Sequence, residues 1–276
     1  MSELKPFIKW AGGKRQLLPY IRQNLPNTYN TYFEPFLGGA ALLFDLKPQT
    51  AVINDLNSEL IVAYRIIKHK PEELINRLKL HMNEHEKNPS DYYYMIRRLD
   101  RDDNWVEKSE LDIAARFIYL NKACFNGLYR VNQKGFFNVP FNKKMNVVTH
   151  SDENILAISS YLNNNNVKIT NLDFQKVLES AMEDDFAFID PPYDLLNKST
   201  FDSYNPDSFG VEGQKRLAQL FHELSNRGVK LMLTNHNTEL INELYKKYNK
   251  KVIDVKRMIN SDSRKRTGTE IIITNY

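Results

Sequence analysis

Apolar and polar residues follow two rhythms along this chain. In the first sixty residues and the last hundred, short apolar runs end in an acid or a glycine, and helix-period segments follow them. "YFEPFLGGAALLFDL" (32–46) predicts a strand, a tight Gly-Gly loop and a helix. "AVINDLNSEL" (51–60) predicts a second buried strand ending at Asp55, then a helix start. "VKIT" (167–170), "FAFID" (186–190) and "VKLMLTN" (229–235) predict three more strands. "VEGQKRLAQLFHELSNRG" (211–228) has helical spacing, with Gly228 as its C-cap. "KVIDVKRMI" (251–259) and "GTEIIITNY" (268–276) predict an antiparallel pair around a basic turn. Strands alternating with helices imply an α/β fold with a mainly parallel sheet and helices on both faces. Ligands of such sheets sit beyond the carboxyl ends of the strands. Gly38, Asp55, Asp173 and Asp190 each lie just after a predicted strand, which makes them candidates for one site.

Residues 61–165 break this rhythm. They carry helical patterns, a polar stretch "DRDDNWVEKSE" (100–110) that reads as a solvated loop, and the run "NNNN" (163–166). The pattern predicts a sheet domain from 1–57 and 166–276, with a mostly helical domain, 58–165, inserted into it. No internal repeat is visible.

Composition narrows this picture. The 276 residues are 42% hydrophobic and 12% aromatic, enough for one large or two smaller cores. No apolar run reaches the ~18 residues of a membrane span. "MSELKPFIKW" lacks the apolar stretch of a signal peptide, so a cytoplasmic location is expected. The single cysteine, Cys124, excludes an internal disulfide framework and a CxxC metal site. The six histidines, among them His69, His81 and His85, show no metal-ligand grouping, so no metal is expected. A net charge of +4 is modest, and its distribution matters more than its sum.

Four stretches carry candidate chemistry. "DPPY" (190–193) follows an apolar strand directly, and neither proline donates a backbone N–H. The Asp190 carboxylate and the Pro191 carbonyl are then acceptors on a rigid turn, and Tyr193 adds a flat face. Two acceptors beside an aromatic ring suit the exocyclic amine of a planar base; an ordinary strand-end turn is the plainer reading. "EPFLGG" (34–39) lets backbone approach a ligand, or simply makes a tight turn. Asp55 ends the next strand, where an acid meets ribose hydroxyls in nucleoside-bearing cofactors. The dinucleotide fingerprint G-x-G-x-x-G is absent, which favours a mononucleoside. "RFIYLNKACFNGLYRVNQKGFFNVPFNKK" (116–144) holds six Lys or Arg, seven aromatics and no acid. That mixture suits a DNA surface that neutralises phosphate and contacts bases, or a basic face over an aromatic core. Arg130 is suited to a guanine edge, and "KRMINSDSRKR" (256–266) adds a second basic loop. Finally, "FIKWAGGKRQLL" (7–18) looks like a phosphate loop, but Ile8 stands five before Gly13 and Arg15 follows Lys14. A Walker A loop needs glycine and a hydroxyl there.

Taken in order, "FIKWAGGKRQLL", "EPFLGGAAL", "INDLN", "FNGLYRVNQKGFFNVPF" and "DPPY" resemble the Dam-type DNA adenine-N6 methyltransferases of the alpha motif order. The resemblance covers nearly the whole chain. It implies a Rossmann-like methyltransferase sheet with an inserted DNA-recognition domain, S-adenosylmethionine as methyl donor, and a flipped adenine, usually in GATC, as acceptor. By motif, Trp10, Ala11, Gly12 and Lys14 would line the cofactor pocket. Glu34, Pro35, Phe36, Gly38 and Gly39 would form the loop beneath it. Asp55 would hold the ribose, and Asp173 with Phe174 would sit near the cofactor adenine. Asp190, Pro191, Pro192 and Tyr193 would hold the target base, with Asp190 also facing the cofactor. Lys9, Leu128, Arg130 and Pro140 match base-reading positions, and Phe125 and Asn126 match residues that enter the duplex. Asn138, Lys143 and Lys144 complete the DNA side. Ser199, Thr200 and Ser203, in the loop after "DPPY", either touch phosphates near the base or belong to a disordered surface loop. One departure stands out: Ala40 replaces the second glycine of an F-x-G-x-G pattern. Cys124 does not follow a proline, unlike the nucleophile of cytosine carbon-5 enzymes, and reads as a small packed residue. An amino methyltransferase for RNA adenine or cytosine N4, and a non-catalytic nucleic-acid-binding protein, are the alternatives. The family's roles span solitary, phage-encoded and restriction-linked enzymes, the last with a cognate endonuclease.

Overall fold

A computed structural model describes residues 3–10, 17–194, 209–256 and 267–276. The sequence expectations for Ala11, Gly12, Lys14, Ser199, Thr200, Ser203 and the basic loop after Lys256 lie outside the described residues. Helix α1 (Leu18–Gln23) precedes strand β1 (Tyr32–Glu34), helix α2 (Ala41–Leu46) and strand β2 (Thr50–Asn54). Helices α3 (Ser58–His69), α4 (Pro71–Lys87), α5 (Pro89–Arg98), α6 (Glu110–Ala123) and α7 (Asp152–Asn164) follow. Then come β3 (Asn166–Thr170), α8 (Phe174–Leu178), β4 (Phe186–Ile189), α9 (Gly210–Asn226), β5 (Lys230–His236), α10 (Glu239–Leu244), β6 (Asn249–Lys256) and β7 (Thr267–Thr274). Each predicted strand is present.

By contact the chain divides into two compact units: Met1–Arg15, Gly38–Gln49 and Asp55–Asn171 in one, Gln16–Leu37, Thr50–Asn54 and Leu172–Tyr276 in the other. The second unit holds six strands of a seven-stranded sheet, in the order β2-β1-β4-β5-β7-β6. The pairs β1–β2, β1–β4 and β4–β5 are parallel. β7 is antiparallel to both β5 and β6, as the sequence predicts for the last pair. β4 reads Phe-Ala-Phe-Ile and is buried throughout, as a strand covered on both faces must be. Its Ala187 and Ile189 join Phe33, Leu231, Leu233, Ile271 and Ile273 in a core closed by Leu217, Phe221 and Leu224 of α9. Gly228 adopts φ +85° just past α9, the left-handed stop that a glycine permits. The chain order of strands reverses direction between β1 and β4, the switch point where open α/β sheets bind ligands.

The first unit is mainly helical. Asn57, Ser109 and Ser151 cap α3, α6 and α7 by accepting N–H bonds. Proline opens α4 and α5, where a missing N–H costs nothing. Helix α6 is buried nearly all round, and Tyr119, Leu120, Ala123 and Cys124 pack on Tyr93, Ile96, Phe137 and Val139. Cys124 is the packed residue expected, and burial pushes its thiol up to about 11.

The polar stretch 100–110 is exposed along most of its length, as its composition suggests, but Asp100 and Trp105 tie it to the core. It contains two short 3-10 turns, Leu99–Arg101 and Asp103–Glu107. Asp100 accepts from Arg116 at 2.8 Å and from the Phe137 N–H at 2.7 Å. Arg116 is itself 1% exposed, lies 4.8 Å over Trp105, and pairs with Glu59 at 3.1 Å. A buried guanidinium needs such partners. The first cation of the basic segment 116–144 therefore belongs to the core, not to its surface.

Candidate functional site

In the sheet unit, β4 ends at Ile189 and delivers Asp190 to its carboxyl end. β1 ends alongside, with Pro35 and Phe36 just beyond it, because Phe33 pairs with Ala187. Asn54 ties this edge together: its Nδ2 donates to the carbonyls of Pro35 and Leu172, and its Oδ1 accepts from Leu172 N. Phe36 and Phe174, predicted for one pocket, have ring centroids 5.4 Å apart, with Phe209 5.7 Å from Phe36. Asp173 caps α8 through Gln175 N and takes both bonds of Arg216 at 2.6 Å. Glu34 is buried and accepts from Tyr32 Oη at 2.7 Å.

The Asp-Pro-Pro-Tyr turn is strapped down more firmly than the sequence suggests. Asp190 Oδ1 accepts from Thr234 Oγ1 at 2.7 Å. Gln214 Nε2 donates to the Pro192 carbonyl, and Asn235 Nδ2 donates to Gln214 Oε1. Asn235 Oδ1 accepts from Asp194 N, and Thr238 Oγ1 donates to Asp194 Oδ2. His236 Nδ1 lies 2.7 Å from the Asp194 carbonyl, so that nitrogen carries the proton. Tyr193 Oη donates to Glu270 Oε2 at 3.0 Å, and its ring meets His236 edge-on at 4.8 Å. Burial, with Asp190 and Glu270 adding to it, pushes the Tyr193 phenol well above its usual range and keeps it a donor. The Asp190 carboxylate is thus already engaged on one oxygen, where the sequence suggests an open acceptor. Thr234, Asn235, His236, Gln214 and Glu270 went unnoticed in the sequence. For Thr234, Asn235 and His236 the signal is the polar run "TNHNT" ending an apolar strand; Gln214 and Glu270 carry none.

In the helical unit, Gly38 adopts φ +48°, and an added Cβ would stand 2.5 Å from Trp10 Cδ1. Glycine is required here by both strain and space. Ala40 holds φ 56°, ψ 37°, so the departure from the family pattern keeps the left-handed turn at a cost of about 1–2 kcal/mol. Gly38 N donates to Asp55 Oδ2 and Asn57 N to Asp55 Oδ1, both at 2.9 Å. Tyr64 Oη donates to the Gly38 carbonyl at 3.0 Å. Burial raises the Asp55 carboxyl, against the N–H groups of Asn57, Gly38 and Leu56, which lower it. A carboxylate has about four acceptor positions, so these N–H groups do not saturate Asp55. Trp10, Gly38, Gly39 and Asp55, predicted together, are brought together.

The same unit builds a hairpin-like segment after α6. Bridges join Cys124 to Phe141 and Val131 to Phe137. Tyr93 Oη and Arg97 donate to the Val139 carbonyl, and Arg101 donates to that of Phe137. Phe125 is 51% exposed, followed by left-handed Asn126 (φ 56°). Asn121 fixes Lys9 by accepting from its N–H at 2.8 Å and donating to its carbonyl at 2.7 Å. The exposed Lys9 side chain lies over Gly127, where a Cβ would meet it at 2.6 Å. Arg130 is exposed, and its Nε donates to Asn138 Oδ1 at 2.6 Å. Leu128 is half-buried, Pro140 exposed. Lys143 and Lys144 are exposed on a turn tied to α4 by His85, whose Nε2 lies 3.1 Å from the Lys144 carbonyl. Lys9, Phe125 and Asn126 share one edge of this segment; Arg130 and Asn138 form a separate pair.

Among the described residues no helix is long and apolar enough to cross a membrane. Nor do they hold a group of three or more His, Cys, Asp or Glu side chains fit for a metal ion.

Comparison with known proteins agrees with these features. The family described as D12 class N6 adenine-specific DNA methyltransferase matches residues 10–259. The chain is 48% identical over 275 residues to the type II methyltransferase M1.LlaDCHI of Lactococcus lactis subsp. cremoris, covering 99% of this chain and 96% of that one. It is 40% identical over 291 residues to the type II methyltransferase M.MjaIII of Methanocaldococcus jannaschii, covering 99% and 100%. It is 33% identical over 274 residues to the DNA adenine methylase of Haemophilus influenzae, covering 99% and 93%. With an Asp-Pro-Pro-Tyr turn at the end of a central parallel strand and a match across this length, the chain belongs to the D12 class of N6 adenine-specific DNA methyltransferases.

Proposed function

We propose that this enzyme transfers a methyl group from S-adenosylmethionine to the N6 amine of an adenine flipped out of duplex DNA, with GATC as its site. The observation that carries this reading is the strapped turn Asp190–Tyr193 beside the sheet's switch point. The adenine amine is a poor nucleophile because its lone pair is conjugated with the ring. The Asp190 carboxylate and the Pro191 carbonyl hold its two protons and draw the nitrogen toward a pyramidal shape. The Asp190 charge then stabilises the positive charge that develops on nitrogen. Tyr193 stacks on the flipped base and fixes its plane. S-adenosylmethionine, when bound, supplies an electrophilic methyl on a sulfonium.

The residues fit that donor. Asp55 has acceptor positions left for ribose hydroxyls, and the left-handed Gly38 lets Trp10 approach backbone. Phe36 and Phe174, with Asp173, suit an adenine ring. The family resemblance assigns Ala11, Gly12, Lys14, Glu34, Pro35 and Gly39 to the cofactor as well. On the DNA side, Lys9, Leu128, Arg130 and Pro140 read bases, Phe125 and Asn126 enter the duplex, and Asn138 orients Arg130. Lys143 and Lys144 neutralise phosphates. Residues 58–165 serve as the recognition domain, and 1–57 with 166–276 as the catalytic domain. The names of the type II relatives support a role beside a restriction endonuclease, and we place the enzyme in the cytoplasm, on DNA.

Radiolabelled methyl transfer tests this. Wild type labels a GATC duplex at adenine N6, and Asp190→Ala loses transfer by several orders of magnitude while keeping its unfolding midpoint. Full turnover by Asp190→Ala would sink the mechanism; labelling only of duplexes without GATC would move the site.

A further inference from the structure

We propose that Thr234 and Glu270 are positioning residues for methyl transfer: Thr234 aims the Asp190 carboxylate, and Glu270 fixes the plane of the Tyr193 ring. This inference rests on the reading of Asp190–Tyr193 as the target-base site. Leu233 pairs with Ile189 across β5 and β4, so Thr234 stands abreast of Asp190. It is 0% exposed, on a strand whose neighbours Leu231, Met232 and Leu233 are equally buried. A valine would pack there as well, and a buried hydroxyl is costly unless paired. Its bond runs to Asp190 Oδ1 at 2.7 Å. The two oxygens of a free carboxylate are equivalent. The Thr234 hydroxyl on Oδ1 distinguishes the two oxygens and favours one rotation of the group.

Tyr193 is held in the same way at its other end. Glu270 on β7 pairs in register with His236 on β5. The phenol donates to Glu270 at 3.0 Å while the ring edge rests on His236 at 4.8 Å and 75°. A phenol fixed at its hydroxyl and at its ring cannot turn, so a stacking plane exists before any base arrives. The antiparallel pair β5/β7 thus works as a jig for the turn that ends β4.

The test is single-turnover methyl transfer on a duplex with one target adenine, with 2-aminopurine fluorescence at that position reporting flipping. Thr234→Val slows transfer roughly 10- to 100-fold and leaves flipping and S-adenosylhomocysteine affinity within about two-fold. Thr234→Ser restores most of the rate. Glu270→Gln and Tyr193→Phe each slow transfer, and the double variant is no slower than the worse single one. A full rate in Thr234→Val overturns the proposal, as does a Thr234→Ser enzyme no faster than Thr234→Val, since packing would then be the cause. Additive losses at Glu270 and Tyr193 overturn the second half. Wild type that labels no duplex removes the underlying site reading as well; wild-type labelling with an indifferent Thr234→Val removes this inference alone.

Discussion

Replacing Gly38 by alanine tests whether the glycine loop is built around Trp10. Two costs follow from the geometry. A φ of +48° is left-handed, and a Cβ there costs about 1–2 kcal/mol. That Cβ would also stand 2.5 Å from Trp10 Cδ1 and 2.8 Å from Nε1. The indole is no loose end: it stacks on Tyr129 at 5.9 Å and 27° and leans on Phe117 at 6.2 Å. Moving it costs about 1–3 kcal/mol of overpacking. Alanine gives back about 0.4–1 kcal/mol by restricting the unfolded chain. The net loss is about 1–4.5 kcal/mol, which leaves a domain of ordinary stability folded but weakened. Urea unfolding followed by tryptophan fluorescence reads it directly. Titration calorimetry with S-adenosylhomocysteine should show affinity reduced about tenfold or more, since each 1.4 kcal/mol is a decade. Gly39→Ala is the internal control. Its Cβ would meet Trp10 Cβ at an ordinary 3.5 Å, without a left-handed φ. It should cost less than about 0.5 kcal/mol. If Gly38→Ala were no worse than Gly39→Ala in urea unfolding, the loop would not be shaped around Trp10.

Other consequences can be measured separately. Burial, helped by Arg77, lowers His81 from 6.5 to about 4, so the unfolded chain takes up the proton first as pH falls. Its contribution is complete above about pH 6.5 and is lost on acidification, by roughly 2 kcal/mol at pH 5. Urea midpoints in wild type and His81→Phe should converge in pH slope only if this is wrong. Arg116→Ala strands Asp100 and Glu59 without their buried cation and should cost roughly 3–5 kcal/mol in the same assay. A loss below about 1 kcal/mol would mean the pairs are slack. Arg130→Ala should relax discrimination at one base pair by about 1–3 kcal/mol. Asn138→Ala should relax the same pair to a smaller extent, because it frees the Arg130 Nε. Effects at different base pairs would separate the two residues.

The sequence exposed what depends on neighbours and concealed what depends on distance. The apolar runs that became β4 and β5 were legible because a doubly covered strand tolerates little else. Asp190–Tyr193 was legible because four consecutive residues carry the signal. Gly228 and Cys124 were read correctly for the same local reasons. Asp100 was misread because its partner Arg116 lies sixteen residues away, in a helix whose burial no local window reveals. Thr234 and Glu270 reach Asp190 and Tyr193 across 44 and 77 residues, and a threonine in a strand announces nothing by itself. The left-handed turn at Ala40 was hidden because an alanine there looks like ordinary helix.

The insertion of β7 between β5 and β6 has a consequence for how the enzyme is made. β6 leaves the ribosome first, yet it has no seat in the sheet until β7 arrives beside β5. At synthesis rates of about 5–20 residues per second, an earlier-made helical unit can order while the sheet still waits. Glu270 sits on that late strand, so the Asp190–Tyr193 turn lacks this one brace until translation has passed it. A ribosome stalled short of residue 267 would therefore release a chain in which Tyr193 has no Glu270 to hold its hydroxyl.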